Sequence, residues 1–263
     1  MFGRRQKPPT PPPPLPAADG TPHPDMGHYM VLQQLREKEE TDPVARPQLV
    51  GNILFRWTSD LIRNKKGIHA ESLVGILAAL GGFSCILAAL DEYGHLTKES
   101  EKYDLVISTG KDGHRYFFGD VPNRYLLETR FSLLNIALSA AQAAGTTIST
   151  DVVHEGLRHV AATVGGEAFG VPRLPPEHPV GDLPVNYVQV LWPNVLKILA
   201  LYEVAPQQFP ATFGFALYRA ITEAKQVIDP ALAFKITLEC AAPMAKLDPA
   251  RIGHAAKPAN SGA

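Results

Sequence analysis

Residues 67–94 read GIHAESLVGILAALGGFSCILAALDEYG, and they contain the longest apolar run in the chain. Eighteen residues, 73–90, carry no charge, while lysines precede this run and Asp91 and Glu92 follow it. An element that is apolar on every side must be buried in protein or in lipid. We therefore expect the rest of the chain to be organised around this segment.

Two glycines interrupt the apolar run at Gly81 and Gly82. Each weakens a helix interior by about 1 kcal/mol relative to alanine, so the sequence predicts a pair of short buried helices rather than one. A membrane-spanning helix through residues 73–90 is the alternative, since eighteen residues is near the lower length limit. Seven of the eighteen are Gly or Ala, and no other stretch has comparable length. The pattern therefore favours a protein core over membrane association.

The remaining patterns predict a mainly α fold, with one multi-helical domain over residues 26–252 around the Gly/Ala-rich helical pair. One β-hairpin is inserted at about 103–118, because two β-prone runs flank the turn signal Lys111-Asp112-Gly113. Residues 1–25 contain nine prolines and are expected to form a disordered tail, as is 253–263. Residues 167–185, with five prolines, are expected to be a long loop or a linker.

Helix boundaries follow from local signals. Asp120-Val121-Pro122-Asn123 is predicted to lead into a long helix that ends at Ala144, and Pro193 is predicted to open a later helix. Thr150 or Asp151 is expected to cap the helix that begins there. Asp229 and Asp248 each precede a proline, which is typical of a cap followed by a first-turn proline: the pairs are Asp229-Pro230 and Asp248-Pro249.

Composition limits the classes of function. A formal net charge of −1 gives no field that would attract nucleic acid, and basic residues are not interleaved with aromatic ones. The N-terminal residues lack the apolar segment of a secretory signal. The two cysteines, Cys85 and Cys240, lie among apolar residues, as buried free thiols of a reducing compartment do. We expect an intracellular, cytoplasmic protein.

Two motifs suggest catalysis or metal binding. His154 and His159 are five residues apart, about 140° around a helix, so they cannot chelate one zinc ion, and Glu155 is expected to pair with His159 instead. Cys85 follows a glycine pair near a possible helix start, where a thiolate would be stabilised. Its apolar neighbours favour burial, which raises a thiol pKa. No signature of a cofactor or metal site is present, and none is expected.

The most polar places beside apolar structure are the start of the apolar helix, at His69 and Glu71, and the hairpin with its exit, at His114, Arg115 and Asp120. We expect any ligand or partner to bind between these two places. The leading hypothesis is a non-catalytic protein-interaction or scaffold module that binds a protein partner or itself. The alternatives are a hydrolase that uses Cys85 or the His69/His114 region, and a membrane-associated protein.

Overall fold

The computed structural model describes residues 26–92 and 105–253. The predicted tail 1–25, all but the first residue of the tail 253–263, and the predicted start of the hairpin at 103–104 lie outside the described residues. The fold is mainly helical with one two-stranded antiparallel hairpin, which confirms the predicted fold class. In chain order the elements are α1 Met26–Lys38, α2 Ala45–Ile62, α3 Ala70–Glu92, β1 Val106–Thr109, β2 Arg115–Phe118, α4 Asp120–Asn123, α5 Leu133–Ala143, α6 Thr150–Thr163, α7 Pro184–Leu201, α8 Phe209–Ala224 and α9 Pro230–Met244.

The contacts divide the described residues into two compact units, one that ends at Ala45 and one that begins at Arg46. The first contains α1, and the second contains the hairpin and nearly all of the other helical structure. The predicted domain limits of 26 and 252 stay predictions. The site described below lies entirely within the second unit.

The central element is α3, which is a single helix of 23 residues and not the predicted pair. It continues through Gly81 and Gly82 because both glycines are covered by other helices. A Cβ atom on Gly82 would lie 2.1 Å from the carbonyl oxygen of Ala241 in α9, and one on Gly81 would lie 2.7 Å from Leu133 Cδ1. The bare backbone lets these neighbours pack closely, and this packing outweighs the low helix propensity of glycine.

Helices α7, α8 and α9 enclose α3. Phe83 contacts the ring of Trp192 edge to face, with centroids 5.0 Å apart, and Trp192 stacks on Phe213 at 6.2 Å. Such ring pairs stabilise a core beyond the area that they bury. Leu77, Leu80 and Phe83 have no exposed surface. The apolar run is therefore buried in protein along the length that the pattern identified.

By length and composition, α3 is the one helix among the described residues that could cross a membrane, and a bent pair of segments, Pro184–Leu201 with Pro206–Ala224, passes the same test together. These segments are weak evidence for membrane insertion, because the core helix of a globular fold has the same composition. Within α3, 89% of the apolar window is already buried inside the fold.

The hairpin pairs Val106 with Phe118 and Thr109 with Arg115 around a turn in which Gly113 has φ 77°. Its β2 side is fixed to the segment after α9, because the amide of Phe117 donates to the carbonyl oxygen of Lys246 at 2.9 Å. All four residues of β1 are exposed. The hairpin therefore lies on the helical body through β2.

Two predicted helix boundaries are wrong. The long helix predicted to follow residues 120–123 and to run to Ala144 is not continuous: Asp120–Asn123 is itself α4, a π-helical turn follows at Arg124–Glu128, and α5 begins only at Leu133. The chain becomes extended at Thr129, and the side-chain amide of Asn135 donates to the carbonyl oxygens of Leu127 and Thr129, which stabilises the break. Pro193 lies inside α7, which instead opens at Pro184. That start also places the last two residues of the predicted loop 167–185 in α7.

The predicted caps are in part confirmed. The carboxylates of Asp229 and Asp248 accept hydrogen bonds from the amides of Ala231 and Ala250 at 2.6 and 3.0 Å. The cap of α6 is Ser149, whose hydroxyl accepts from the amide of Asp151, and not Thr150 or Asp151. The shift is a single residue, which is within the usual ambiguity of helix ends.

Candidate functional site

The structure separates the two groups of residues that the sequence singled out. His69 and Glu71 lie at the start of α3, where they contact each other. The hairpin and its exit lie near Cys85, toward the other end of α3. Lys246 joins the two places, because its Nζ donates to Asn123 at the end of α4 and its charge acts on the Cys85 thiol. Cys85 is thirteen residues beyond Ser72 in α3, which is about 20 Å along the helix axis. No contact between the two groups is seen among the described residues.

The hairpin residues have local roles. Arg115 Nε donates to Asp248 Oδ2 at 2.8 Å, which ties the turn end of β2 to the segment after α9. The amide of His114 donates to Asp112 Oδ1 within the turn. Asp120 is exposed at the start of α4. These contacts position the hairpin and do not converge on one point.

The start of α3 carries a denser arrangement, centred on the buried carboxylate of Glu71. His178 Nδ1 donates to Glu71 Oε1 at 2.8 Å, and His69 Nε2 lies 3.4 Å from Glu71 Oε2. Burial alone would raise the pKa of the Glu71 carboxyl, but the hydrogen bond from His178, a local backbone hydrogen bond and the charges of both histidines lower it below its ordinary value. Glu71 is therefore an ionised carboxylate held between two imidazole rings.

Ser72 extends this arrangement on the other side of His69. The amide of Ser72 donates to His69 Nδ1 at 3.3 Å, and the Ser72 hydroxyl lies 2.8 Å from the same nitrogen. Because Nδ1 accepts from an amide, it is unprotonated, and the hydroxyl must donate to it. The proton of neutral His69 then lies on Nε2, which faces Glu71. Ser72 is thus hydrogen-bonded to His69, and the other ring nitrogen of His69 lies within ion-pair distance of Glu71.

The cover over this cluster is the proline-rich loop, which we define as residues 167–183. The amide of Gly181 donates to Ser72 Oγ at 3.1 Å. A Cβ atom at position 181 would lie 3.1 Å from Ser72 Oγ and 3.2 Å from the hydroxyl of Tyr187, so a glycine there permits the approach. Below it, Val180 packs on Gly75, whose added Cβ would lie 2.8 Å from Val180 Cγ1. The loop is thus seated directly on α3.

A second anchor holds the other end of the loop. The guanidinium of Arg173 donates to the buried carboxylate of Glu239 in α9, with the shortest distance 2.7 Å, and also to Glu155 in α6. The backbone amide of Arg173 donates to Glu239 as well. The pKa of Arg173 is raised by the two carboxylates, and the pKa of Glu155 is lowered by Arg173. Arg173, rather than the predicted His159, is the closest partner of Glu155.

Between the two anchors the loop forms a groove of about 340 Å³. Its walls are mostly proline and aliphatic side chains, and its only charged group is the carboxylate of Asp182. The residues that line it are Pro172, Leu174, Pro175, Pro176, Pro179, Val180, Asp182 and Leu183. The groove therefore offers an apolar surface beside the polar cluster.

Cys85 has the properties of a structural thiol. It is fully buried, its Sγ donates to the carbonyl oxygen of Gly81, and burial raises its pKa. Lys246 is also buried, and its Nζ donates to Asn123 Oδ1 at 2.5 Å and lies 5.7 Å from the centre of the Phe118 ring. Burial lowers the pKa of Lys246 to about 8. Thiolate chemistry requires an accessible, low-pKa cysteine, and Cys85 is neither.

Within residues 26–92 and 105–253, no group of three or more His, Cys, Asp and Glu side chains is arranged to hold a metal ion. His154 and His159 lie on α6, where five-residue spacing places them on different faces. Glu71 is engaged within the protein by its two histidines, His69 and His178. Its contact with His178 stabilises the loop.

Comparison with known proteins gives no relative: no family model, no curated protein and no solved structure matches this chain.

Sequence reasoning identified half of this cluster and missed the other half. His69 and Glu71 stand beside the apolar helix, where a polar pair is conspicuous. His178 lies 107 residues after Glu71, and Arg173 lies 66 residues before Glu239. The available signal was the length and proline content of residues 167–185, which the sequence left open as a long loop or a linker.

Proposed function

We propose that this protein is a protein-interaction or scaffold protein, and that its proline-rich loop is the surface that contacts a protein partner. The observation that carries the proposal is the fixation of this loop. One anchor joins His178 and Gly181 to the start of α3, and the other joins Arg173 to α9 and α6. A loop that is already held in one conformation loses little entropy when a partner binds.

The surface of the loop suits an apolar contact. Val171 and Leu183 are 45% and 42% exposed, and Pro176 and Pro179 are exposed between them. Prolines present a rigid apolar face that aromatic side chains recognise, as in proline-rich recognition. The groove between the prolines has room for one aromatic side chain of a partner.

The charges of the loop specify the partner further. Glu177 and Asp182 are exposed, whereas Arg173 is engaged by two carboxylates. The surface available to a partner is therefore apolar and acidic. We infer an aromatic-lined partner surface bordered by lysine or arginine, because complementary charges speed association and exclude wrong partners.

Affinity capture with purified full-length protein tests this proposal. Wild type is compared with the double variant Val171→Ser/Leu183→Ser, which removes the exposed apolar side chains of the loop without touching either anchor. Val227→Ser is the matched control, since Val227 is 72% exposed after α8. We expect one protein that binds wild type and the control with equal affinity and the double variant at least tenfold more weakly, as measured with the purified pair.

If every captured protein binds the double variant as well as wild type, the loop is not the partner surface. Thermal unfolding of the three proteins accompanies the experiment, because both substitutions are at exposed positions and should leave the unfolding midpoint unchanged.

A further inference from the structure

We propose that Ser72 is the nucleophile of a hydrolytic site for small carboxylic esters, with His69 as its general base. Ser72, His69 and Glu71 stand in the order nucleophile, base and orienting carboxylate, at 2.8 Å and 3.4 Å. A nucleophile is recognised by this geometry and by these roles, not by sequence position. The proposal concerns an activity beyond partner binding, and it does not rest on the partner-binding role of the loop.

Helix capping accounts for only part of the arrangement. A cap requires that His69 Nδ1 accept from the amide of Ser72, which it does at 3.3 Å. It requires nothing on the other side of the ring. Yet His69 Nε2 faces the carboxylate of Glu71, which is buried and is held in place by His178. That carboxylate fixes the tautomer in which Nδ1 can receive a proton from Ser72.

The reaction follows from these positions. Ser72 Oγ forms a bond to the ester carbonyl carbon while its proton passes to His69 Nδ1, and the imidazolium that results is stabilised by Glu71. The carbon–oxygen bond of the ester then breaks, and the leaving alkoxide takes the proton from His69 as an alcohol. A water molecule then attacks the acyl carbon and loses its proton to His69. The bond between that carbon and Ser72 Oγ breaks, Ser72 Oγ takes the proton back from His69, and the carboxylic acid is released. No redox partner is required.

The proline-rich loop supplies the rest of the site. The amide of Gly181 lies 3.1 Å from Ser72 Oγ, and a donor this close to the nucleophile can reach the oxygen that becomes negative in the tetrahedral intermediate. Val180 and Asp182, the neighbours of Gly181 in the chain, line the mostly apolar groove of about 340 Å³. We therefore assign short, uncharged acyl groups as substrates, because Asp182 would repel a carboxylate there.

A fluorophosphonate probe tests the nucleophile directly. Purified full-length protein is incubated with the probe at pH 8, and the modified residue is located by peptide mass spectrometry. We expect labelling at Ser72 in wild type and in Ser139→Ala, no labelling at that peptide in Ser72→Ala, and at least tenfold slower labelling in His69→Gln. Ser139 is the matched control because it is an exposed helical serine bonded only to its own helix.

The location of the label in unmodified protein decides the matter even if a variant does not fold. Labelling of Ser72 that is no faster than that of Ser139 overturns the proposal. The same holds if p-nitrophenyl butyrate is hydrolysed equally by wild type and folded Ser72→Ala. The single variant Val171→Ser changes an exposed residue that does not line the groove and retains Ser72, so partner binding can be weakened while labelling stays, and each proposal can fail separately.

Discussion

The middle and the start of α3 are buried by different means. Its middle, around Gly82, packs against the backbone of α9 and against aromatic side chains. Its start, around Glu71, is covered by a loop that hydrogen bonds and ion pairs hold. Apolar close packing is strong and insensitive to pH, whereas polar anchoring is directional and depends on the ionisation of a few groups. The core half should therefore determine global stability, and the loop half should determine local order.

The largest effect is expected from Gly82→Leu. A Cβ atom there would already lie 2.1 Å from the carbonyl oxygen of Ala241, and the backbone of α9 cannot move away without separating two core helices. We expect no cooperatively folded protein, as measured by near-UV circular dichroism and thermal unfolding. Gly27→Ala is the control, since nothing lies within 4 Å of its added Cβ, and it should change stability by less than about 1 kcal/mol. A folded Gly82→Leu protein would show that α3 and α9 are not in close contact.

Leu77→Ala tests the same half more gently. Leu77 is fully buried, so the substitution removes apolar contacts and leaves a cavity, at a cost of about 2–5 kcal/mol. Leu87 is only half-buried, and Leu87→Ala should cost clearly less. Denaturant unfolding of both variants measures the difference. Equal losses below about 1 kcal/mol would contradict the buried core that the structure shows.

The core half was accessible from the sequence, because burial on all sides leaves a local pattern, eighteen residues without a charge. What the pattern could not give was the continuity of the helix at Gly81 and Gly82. Local propensity predicts a break there, and only the approach of Ala241 and Leu133 shows why the helix continues. Tertiary packing decided against propensity at that position.

The loop half was only partly accessible. His69 and Glu71 are neighbours in sequence, so their clustering was visible, but the partners that complete the cluster come from the proline-rich loop. No periodicity connects residues so far apart, and a single sequence does not contain the pairing. The expected pocket between the hairpin and the start of α3 has no contact behind it in the part of the chain that the structure describes, and Arg115 instead donates to Asp248.

Lys246 is a charge placed in the core half, and it should oppose folding there. Its pKa is lowered from 10.5 to about 8, so the folded state binds the proton more weakly than the unfolded chain. The contribution of Lys246 to the free energy of unfolding is lowest below pH 8. It rises by about 3 kcal/mol as the pH increases toward 10.5, because the pKa of Lys246 differs by that interval between the folded and unfolded states. Lys246→Met should therefore be more stable than wild type at pH 7, with the gap closing by pH 10.

Urea unfolding at the two pH values measures this gap. Lys197→Met, at an exposed position in α7, is the control and should show no gap that changes with pH. Lys246→Met also leaves Asn123 without its partner, which reduces the gain at both pH values equally. A gap that stays constant between pH 7 and pH 10 would mean that Lys246 is not buried as a charged group.

The anchor at Arg173 should matter less for the whole fold than the core does. Glu239→Gln replaces a buried carboxylate that accepts from the guanidinium and from the amide of Arg173, leaving Arg173 with Glu155 alone. Hydrogen bonds to charged groups contribute about 1.5–3 kcal/mol, and we expect a loss of that order. Amide hydrogen exchange should accelerate across residues 171–183 and remain slow in α3. Uniform acceleration in both regions would show that the loop and the core unfold together.

The smallest effect, and the most specific, is expected from Glu71→Gln. The pKa of Glu71 is below its unfolded value of 4.5, so its stabilising contribution is complete above that pH and is lost as the pH falls through the lower folded pKa. Wild type should exceed Glu71→Gln in stability at pH 7, and the difference should vanish in acid. Glu177→Gln, an exposed residue of the same loop, is the control and should show no such dependence.

The direct reporter is the amide of Gly181, because its hydrogen bond to Ser72 Oγ exists only while the loop is seated. In Glu71→Gln at pH 7 this amide should exchange faster than in wild type, while the amides of Leu77 and Leu80 keep their protection, since those residues are buried by helices that do not contact the carboxylate. An unchanged rate of exchange at the Gly181 amide would mean that the packing of Val180 on Gly75 holds the loop without help from the charges. The middle and the start of α3 would then differ in composition and not in stability.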